Sequence, residues 1–417
     1  MSFILKNALN YTGEKVTKGD FFVGDDMSVS LYFENKAFDK GAVTVYNCLI
    51  LPGFCDVHVH FREPGYLYKE DILTGSLSAA AGGYTDVCTM PNLNPVPDCL
   101  ENLKLELDAI EQKAVIHVHP YGSLTVGQRG EKVACLSEMK DYVFAFSDDG
   151  RGVQSEDIMR QAMEESKKLG KVIAAHCEDN SLLHGGYIHD GKYAADHMHK
   201  GICSESEWGP IKRDIRLAKE TGCKYHVCHV SAKESVEIIR CGKASGVDVT
   251  CETAPHYLVL DDSMLEESGS FKMNPPIRDA SDREALIRGI TDGTIDMIAT
   301  DHAPHSVQEK AKGLEGSLMG VVGLECAFPI MYTELVRTKI ISMEKLCNLM
   351  AYTPRKRFGL IGNPGFSIWS VDNEYELNPE KFKTKGRSTP FAGRRVYGKC
   401  IATYLDGRPV YVSEDII

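Results

Sequence analysis

The chain of 417 residues has little that would tie it to a membrane, a nucleic acid or an oxidising compartment. No apolar run approaches the roughly 20 residues needed to cross a bilayer, so a helical membrane protein is excluded. The opening MSFILKNALNYTGEKV lacks a basic segment followed by a long apolar one, and no secretory signal is expected. Basic charge is in deficit: 47 Lys+Arg against 59 Asp+Glu give a net charge of −12, which disfavours binding to nucleic acid. Cys-x-x-Cys is absent although there are 14 cysteines. They stand singly in apolar runs, as Cys88 does in DVCTM and Cys228 in HVCHV. That pattern fits buried thiols in a reducing cytoplasm and excludes zinc knuckles and disulfide scaffolds. With 43% apolar and 25% charged residues, an ordinary globular protein remains.

What is present is a repeated physical unit. Eight times, a short β-branched or apolar run ends in polar residues. The runs are CLILPGFCDVHVH, GYTDVCTMPN, AVIHVHPYGS, YVFAFSDDG, KVIAAHCED, KYHVCHVS, VDVTCETAPHY and IDMIATDH. Helical patterns such as SEDIMRQAMEESKKLG lie between several of them. Strands alternating with helices imply a parallel sheet, and eight units in about 250 residues predict an α/β fold of the TIM-type (β/α)8 barrel. That barrel is expected over residues 51–364. Residues 1–50 and 365–417 carry short strand patterns with Gly and Asp turns, and neither is long enough to bury a core alone. They are expected to pair into one small flanking β domain. Two stretches, 179–210 and 258–294, exceed a normal connection and are expected to be long loops at the mouth.

The chemistry lies at the ends of the runs. The first ends in His58 and His60, the fourth in Asp148-Asp149, the fifth in His176, the sixth in His229 and the eighth in Asp301. Residues two apart in a strand point the same way, so His58 and His60 are expected to face one mouth together. Imidazoles and carboxylates suit zinc and related divalent ions. Four His and two Asp exceed the needs of one tetrahedral ion and suit two ions sharing a hydroxide, a centre that polarises a carbonyl. HVH occurs again at His117 and His119, where it runs into Pro120; this second pair is read as barrel packing or support. His226, an odd number of residues from His229, is expected to face the helices, and His184, His189, His197 and His199 to be solvated in a loop.

Groups suited to an anionic ligand stand nearby. Arg62 offers a bidentate fork for a carboxylate, or else a salt bridge to Glu63 or Asp56. Asn92 in TMPN, Asn274 in KMNPPIR and His305 in TDHAPH are further candidates, with turn roles equally open for the two asparagines.

The motifs DVHVHFREPG, AAAGGYTDVCTMPNLNP, SDDGRGV, AAHCED, CHVS, ETAPHYL, KMNPPIR and ATDHAPH, with a closing STPFAGRRVYG, together resemble the dihydroorotases. Within the amidohydrolase superfamily they resemble the class I bacterial form. The resemblance implies a metal-dependent barrel flanked by a β-sandwich. It also implies interconversion of N-carbamoyl-L-aspartate and L-dihydroorotate in pyrimidine synthesis. By position, His58 and His60 would bind a first zinc with Asp301 close by, and His176 and His229 a second. Asp149 would join the pair, with Asp148 as the alternative; a bridging lysine, found in related enzymes, is missing from FAFSDDG. Arg62, Asn92 and His305 would hold the substrate carboxylate, and Asn274 and the backbone at Met319-Gly320 would contact the ring. Asp301 would be the general base. The stretch GNPGFSIWSVDNEYE departs from the family pattern. The family also suggests a cytoplasmic homodimer, with association to aspartate transcarbamoylase left open, and 306–318 is a candidate loop for closing on substrate. Rival readings are another cyclic-amide hydrolase or a non-catalytic scaffold of the same fold.

Overall fold

The computed structural model describes residues 2–12, 15–24, 27–32 and 42–416. All eight runs form strands. Phe54–Val59, Tyr84–Thr89 and His117–Pro120 pair in parallel as one sheet. Gly122–Ser123, Ala145–Ser147, Val172–Ala175, Lys224–Val227, Val249–Thr253 and Met297–Ile298 pair in that order, also in parallel, as another. The two sheets are not separate bodies. One stretch of chain serves both, pairing Cys88 with His119 on one side and Ser147 with Ser123 on the other. At the far side Val59 bridges His302 in parallel, and His60 N–H donates to His302 O at 2.8 Å.

Parallel strands covered on both faces read as continuous apolar runs, as these do. Cys55, Val57, Cys88, Ala145, Val172, Ala174, Met297 and Phe358 belong to one buried cluster among the strands. Helices cover the outside, and Glu156–Leu169 shows the local reasons one forms. In Glu156–Leu169, Ser155 caps the start by accepting from Ile158 N–H, and Glu156 and Asp157 occupy the first turn. Lys167 and Lys168 occupy the last turn, before Gly170 turns left-handed at φ 72°. Charges so placed complement the helix dipole, and glycine is the residue that adopts that φ freely. Met159, Ala162, Met163 and Ser166 form its buried stripe.

The chain ends meet in an eight-stranded sheet. Its order is Arg408–Val412, Lys399–Leu405, Phe366–Ser370, Cys48–Pro52, Phe3–Asn10, Thr17–Val23 and Val29–Leu31, with Val43–Tyr46 also pairing Phe3–Asn10. The stretch that departs from the family pattern supplies a central strand, Phe366–Ser370. Trp369, fully buried, packs at a tilt against Phe328 and Phe54, with ring centroids 4.1 and 5.9 Å away, so this sheet is packed against the parallel strands by aromatic contact.

Neither long stretch is plain loop. Residues 258–294 contain the helix Ala280–Asp292, which Asp279 caps by accepting from Ser281 and Asp282 N–H. Residues 179–210 contain the helix Lys192–His197 and the paired strands Ile188–His189 and Gly201–Ile202. His189 is buried, against the solvated position expected, with its Nδ1 3.5 Å from Arg278 Nη1.

Candidate metal centre

The carboxyl ends of the parallel strands converge on one hollow of about 240 Å³. His60, Arg62, Asn92, Asp149, His176, His229, Asn274, Asp301, His305, Met319 and Gly320 all line it, together with Gly150 and Ala303, which the sequence did not single out. His58 lies just beneath, fully buried. The imidazoles and carboxylates stand at or just past strand ends, where backbone can bend: His60 follows Val59, His176 follows Ala175, and His229 lies two residues beyond Val227. Arg62, His229 and Asp301 have positive φ of 62°, 34° and 49°. Non-glycine residues adopt such angles at a cost, which folded proteins concentrate at working sites.

Asp149 is the hub. Its Oδ2 lies 3.3 Å from His58 Nε2 and 3.4 Å from His60 Nε2, while its Oδ1 lies 3.2 Å from His229 Nε2 and 3.6 Å from His176 Nδ1. The cluster thus contains two trios that share one carboxylate, His58/His60/Asp149 and Asp149/His176/His229. Asp301 Oδ1 closes the first side at 3.1 Å from His60 Nε2 and 3.5 Å from His58 Nε2. Nε2 of His58 and of His176 is buried without a hydrogen-bond partner. Buried imidazole nitrogens left unsatisfied beside carboxylates are what a divalent cation completes, so the residues fit such an ion. Burial opposes charge on His58, but Asp149, Asp301 and Glu252 outweigh it and push its pKa well above the ordinary histidine value. Burial also opposes the Asp149 carboxylate, and the imidazoles hold it well below the usual range.

Asp148 takes no part. Its Oδ1 accepts from Leu124 N–H at 2.8 Å, Thr125 N–H at 3.0 Å and the Ser123 hydroxyl at 2.9 Å.

The neighbouring groups are ordered by specific partners. Asn92 Oδ1 is 2.9 Å from His60 Nδ1, so it orients that ring, and Asn274 Nδ2 donates to Glu178 Oε1 at 2.8 Å. Arg62 makes no ion pair with Glu63 or Asp56: Glu63 bonds Lys113, and Asp56 accepts from the backbone of His58 and Thr300. Buried with its Nε unpartnered, Arg62 is a cation facing the hollow. His305 bonds Met319 O through Nε2 at 2.7 Å and meets Lys69 Nζ through Nδ1 at 3.2 Å. Burial, with Arg62 and Lys69 close by, brings its pKa down to about 3, so the ring is neutral. Gly320, at φ 131°, permits this approach: a Cβ there would lie 2.7 Å from Ala303 O. Segment 306–318 is fastened rather than free. Lys310 Nζ, buried, donates to Lys272 O, Leu318 O and Gly320 O at 3.0, 2.8 and 2.7 Å.

As with His189, the histidine expectations meet corrections here. His226 does not face the helices; it is fully buried with Nε2 3.0 Å from Glu252 Oε2. The strand ends at Val227 and His229 is left-handed, so strand alternation does not carry from one to the other. His117 and His119 do not support the cluster; they pack at the strand His117–Pro120, His119 edge-on to Phe144. They are partly exposed and pair with Asp86 at 3.3 and 2.9 Å, with Asp406 2.8 Å from His117.

Glu252 and Glu178 were not singled out in the sequence. Glu252 Oε1 lies 2.6 Å from His58 Nδ1, and Glu178 Oε2 lies 3.5 Å from His176 Nε2. The available signal was position, since each sits at or near a strand end, in ETAPHYL and AAHCED.

A family model described as Dihydro-orotase-like matches residues 47–235. A dihydroorotase of Fusobacterium nucleatum subsp. nucleatum is 44% identical over 422 residues, covering 99% of both chains. One from Bacillus cereus (strain AH820) is 42% identical over 428 residues, covering all of both. Among solved structures, an L-hydantoinase (dihydropyrimidinase) from Arthrobacter aurescens matches with a TM-score of 0.82 at 25% identity, covering 98% of this chain and 95% of that one. A dihydropyrimidinase from Brevibacillus agri matches with a TM-score of 0.80 at 19% identity over the same shares, a likeness of fold. A parallel α/β scaffold that gathers histidines and aspartates at its strand ends, and shares its fold with hydantoinases, is that of a cyclic-amide hydrolase. By its full-length likeness to the curated relatives, this chain belongs to the dihydroorotase family.

Proposed function

We propose that the chain catalyses the reversible interconversion of N-carbamoyl-L-aspartate and L-dihydroorotate, as a class I bacterial-type enzyme of pyrimidine synthesis in the cytoplasm. The observation that carries the reading is the division of the Asp149 carboxylate between two imidazole pairs, beside an unpaired buried arginine. His58, His60 and Asp301 would hold one zinc ion, His176 and His229 a second, and Asp149 would belong to both. When bound, such ions lower the pKa of water and polarise a carbonyl.

The chain's own residues do the rest. Arg62 pairs with the substrate carboxylate, with Asn92 and His305 beside it, and Asn274 and the Met319-Gly320 backbone bound the ring. In hydrolysis, Asp301 takes a proton from the attacking water and gives it to the departing ring nitrogen. A C–O bond forms, the ring C–N bond breaks, and the product gains a carboxylate while keeping its carbamoyl group. Ring closure runs the proton the other way, so it needs Asp301 protonated.

The parallel strands make a closed (β/α)8 barrel over 51–364, with 1–50 and 365–417 as a composite β-sandwich domain. Support comes from the stretch 117–123 pairing on both sides and from the bridge of Val59 to His302. The cytoplasmic reading rests on fourteen free thiols, ten of them buried, as a reducing compartment allows. No described helix is long and apolar enough to cross a membrane. A homodimer, and an association with aspartate transcarbamoylase, complete the reading on family grounds.

The test is a paired assay with L-dihydroorotate, allantoin and dihydrouracil, before and after chelation and with zinc restored. Zinc-dependent opening of dihydroorotate alone is expected. Turnover of allantoin or dihydrouracil would overturn the role of Arg62. Bound zinc without any turnover would favour a scaffold of the same fold.

A further inference from the structure

Glu252 is a fully buried carboxylate to which the proposed chemistry gives no task. It stands near the end of the strand Val249–Thr253, beneath the cluster. Its Oε1 lies 2.6 Å from His58 Nδ1 and accepts a long bond of 3.4 Å from the His229 backbone N–H. Its Oε2 lies 3.0 Å from His226 Nε2, whose Nδ1 meets the Thr250 hydroxyl at 2.8 Å. One side chain therefore touches the imidazole of one trio and the backbone of the other.

We infer that Glu252 is a positioning residue for both halves of the metal centre, fixing the tautomer and aim of His58 and the turn that presents His229. The inference rests on the reading of the cluster as a metal centre. A carboxylate only accepts hydrogen bonds, and a neutral imidazole has one N–H. When Nε2 gives its lone pair to an ion, the one remaining proton stands on Nδ1, where Glu252 accepts it. Nε2 of His58 is also the atom buried with no hydrogen-bond partner. His229 needs separate support, because φ 34° is strained for a residue with a Cβ and its N–H points back to Glu252. His226 keeps Glu252 in place by donating from Nε2 while accepting from Thr250. Carboxylates that take the second nitrogen of a ligating histidine raise its basicity, and losing one lowers metal affinity about 10- to 100-fold.

The experiment strips full-length protein with a chelator and titrates zinc back against a competing indicator, following stoichiometry, affinity and thermal unfolding. Wild type is expected to take up two ions, and Glu252→Gln to bind zinc about 10- to 100-fold more weakly while remaining folded. His226→Gln, which keeps an N–H for Glu252, is expected to fall between them. Should Glu252→Gln fail to fold, Glu252→Asp, one methylene too short for the 2.6 Å contact, carries the same expectation. A folded Glu252 variant with wild-type zinc affinity overturns the inference while leaving the metal centre standing. Wild-type protein that takes up no zinc removes the metal reading, and this inference with it.

Discussion

Asp148 and Asp149, consecutive in the chain, serve opposite sides of one strand end. Asp148 is enclosed by the amides of Leu124 and Thr125, and Asp149 reaches four imidazoles with its two oxygens. Replacement by alanine should separate the two roles. Asp149→Ala removes a ligand from each trio and is expected to lose both zinc ions with little change in fold. Asp148→Ala orphans buried amides and is expected to cost about 1–3 kcal/mol while keeping its zinc. Metal analysis together with urea unfolding reads both, and the reverse pattern would exchange the assignments.

Asp301 is expected to be indispensable in both directions. Burial opposes its charge, but His58 and His60 outweigh it and hold the carboxyl below the ordinary aspartate value. It therefore rests ionised, as the base of the proposed hydrolysis would, and on that reading ring closure must supply a proton. Hydrolysis should weaken and synthesis strengthen as pH falls, and identical profiles in the two directions would contradict the role. Asp301→Asn should lower turnover by about 10²- to 10⁴-fold or more, since a ligand is lost with the proton carrier.

Arg62→Met tests recognition apart from metal binding. Loss of a charge-assisted pair worth about 1.5–3 kcal/mol should raise KM for dihydroorotate about 10- to 100-fold, with zinc content unchanged. Unaltered KM would remove Arg62 from the carboxylate site.

His117 contributes to stability away from the hollow. Its bond to Asp86 and, less, to Asp406 outweighs partial burial and raises its pKa to about 9. A raised histidine pKa favours the folded state below the unfolded value near 6.5, and that gain is lost as pH rises through 9. The ring is 41% exposed, so screening keeps the effect under about 1 kcal/mol. His117→Gln should therefore lower the urea midpoint at pH 6 and match wild type at pH 10. A difference that persists at pH 10 would assign the effect to packing.

Trp369→Ala should destabilise the protein by about 3–5 kcal/mol, by removing the ring packed against Phe328 and Phe54. Equilibrium unfolding that separates into two transitions would place that ring at the joint between two cooperative units.

The order of the eight parallel strands was legible in the chain, because apolar runs and turn residues act locally, whereas the helix Ala280–Asp292 and the elements within 179–210 were not. The sequence by itself also determined which residues stand at the strand ends, since His58, His60, Asp149, His176, His229 and Asp301 each close a run. Tertiary structure decided which way those side chains point. Strand alternation predicts orientation only inside regular strand, and these residues lie where it ends or bends: the pairing of Phe54–Val59 with its neighbour shifts between Asp56 and Val59, and His229 and Asp301 are left-handed. His226 was misplaced for that reason, and Glu252 was missed because its partners His58 and His226 come from two other strands. That Asp149 and not Asp148 faces the imidazoles, and that Glu63 and Asp56 bond elsewhere than to Arg62, likewise needed contacts across more than 20 residues of chain. Local chemistry made the histidines and aspartates of the cluster legible, whereas their division around one shared carboxylate exists only once the strands are side by side.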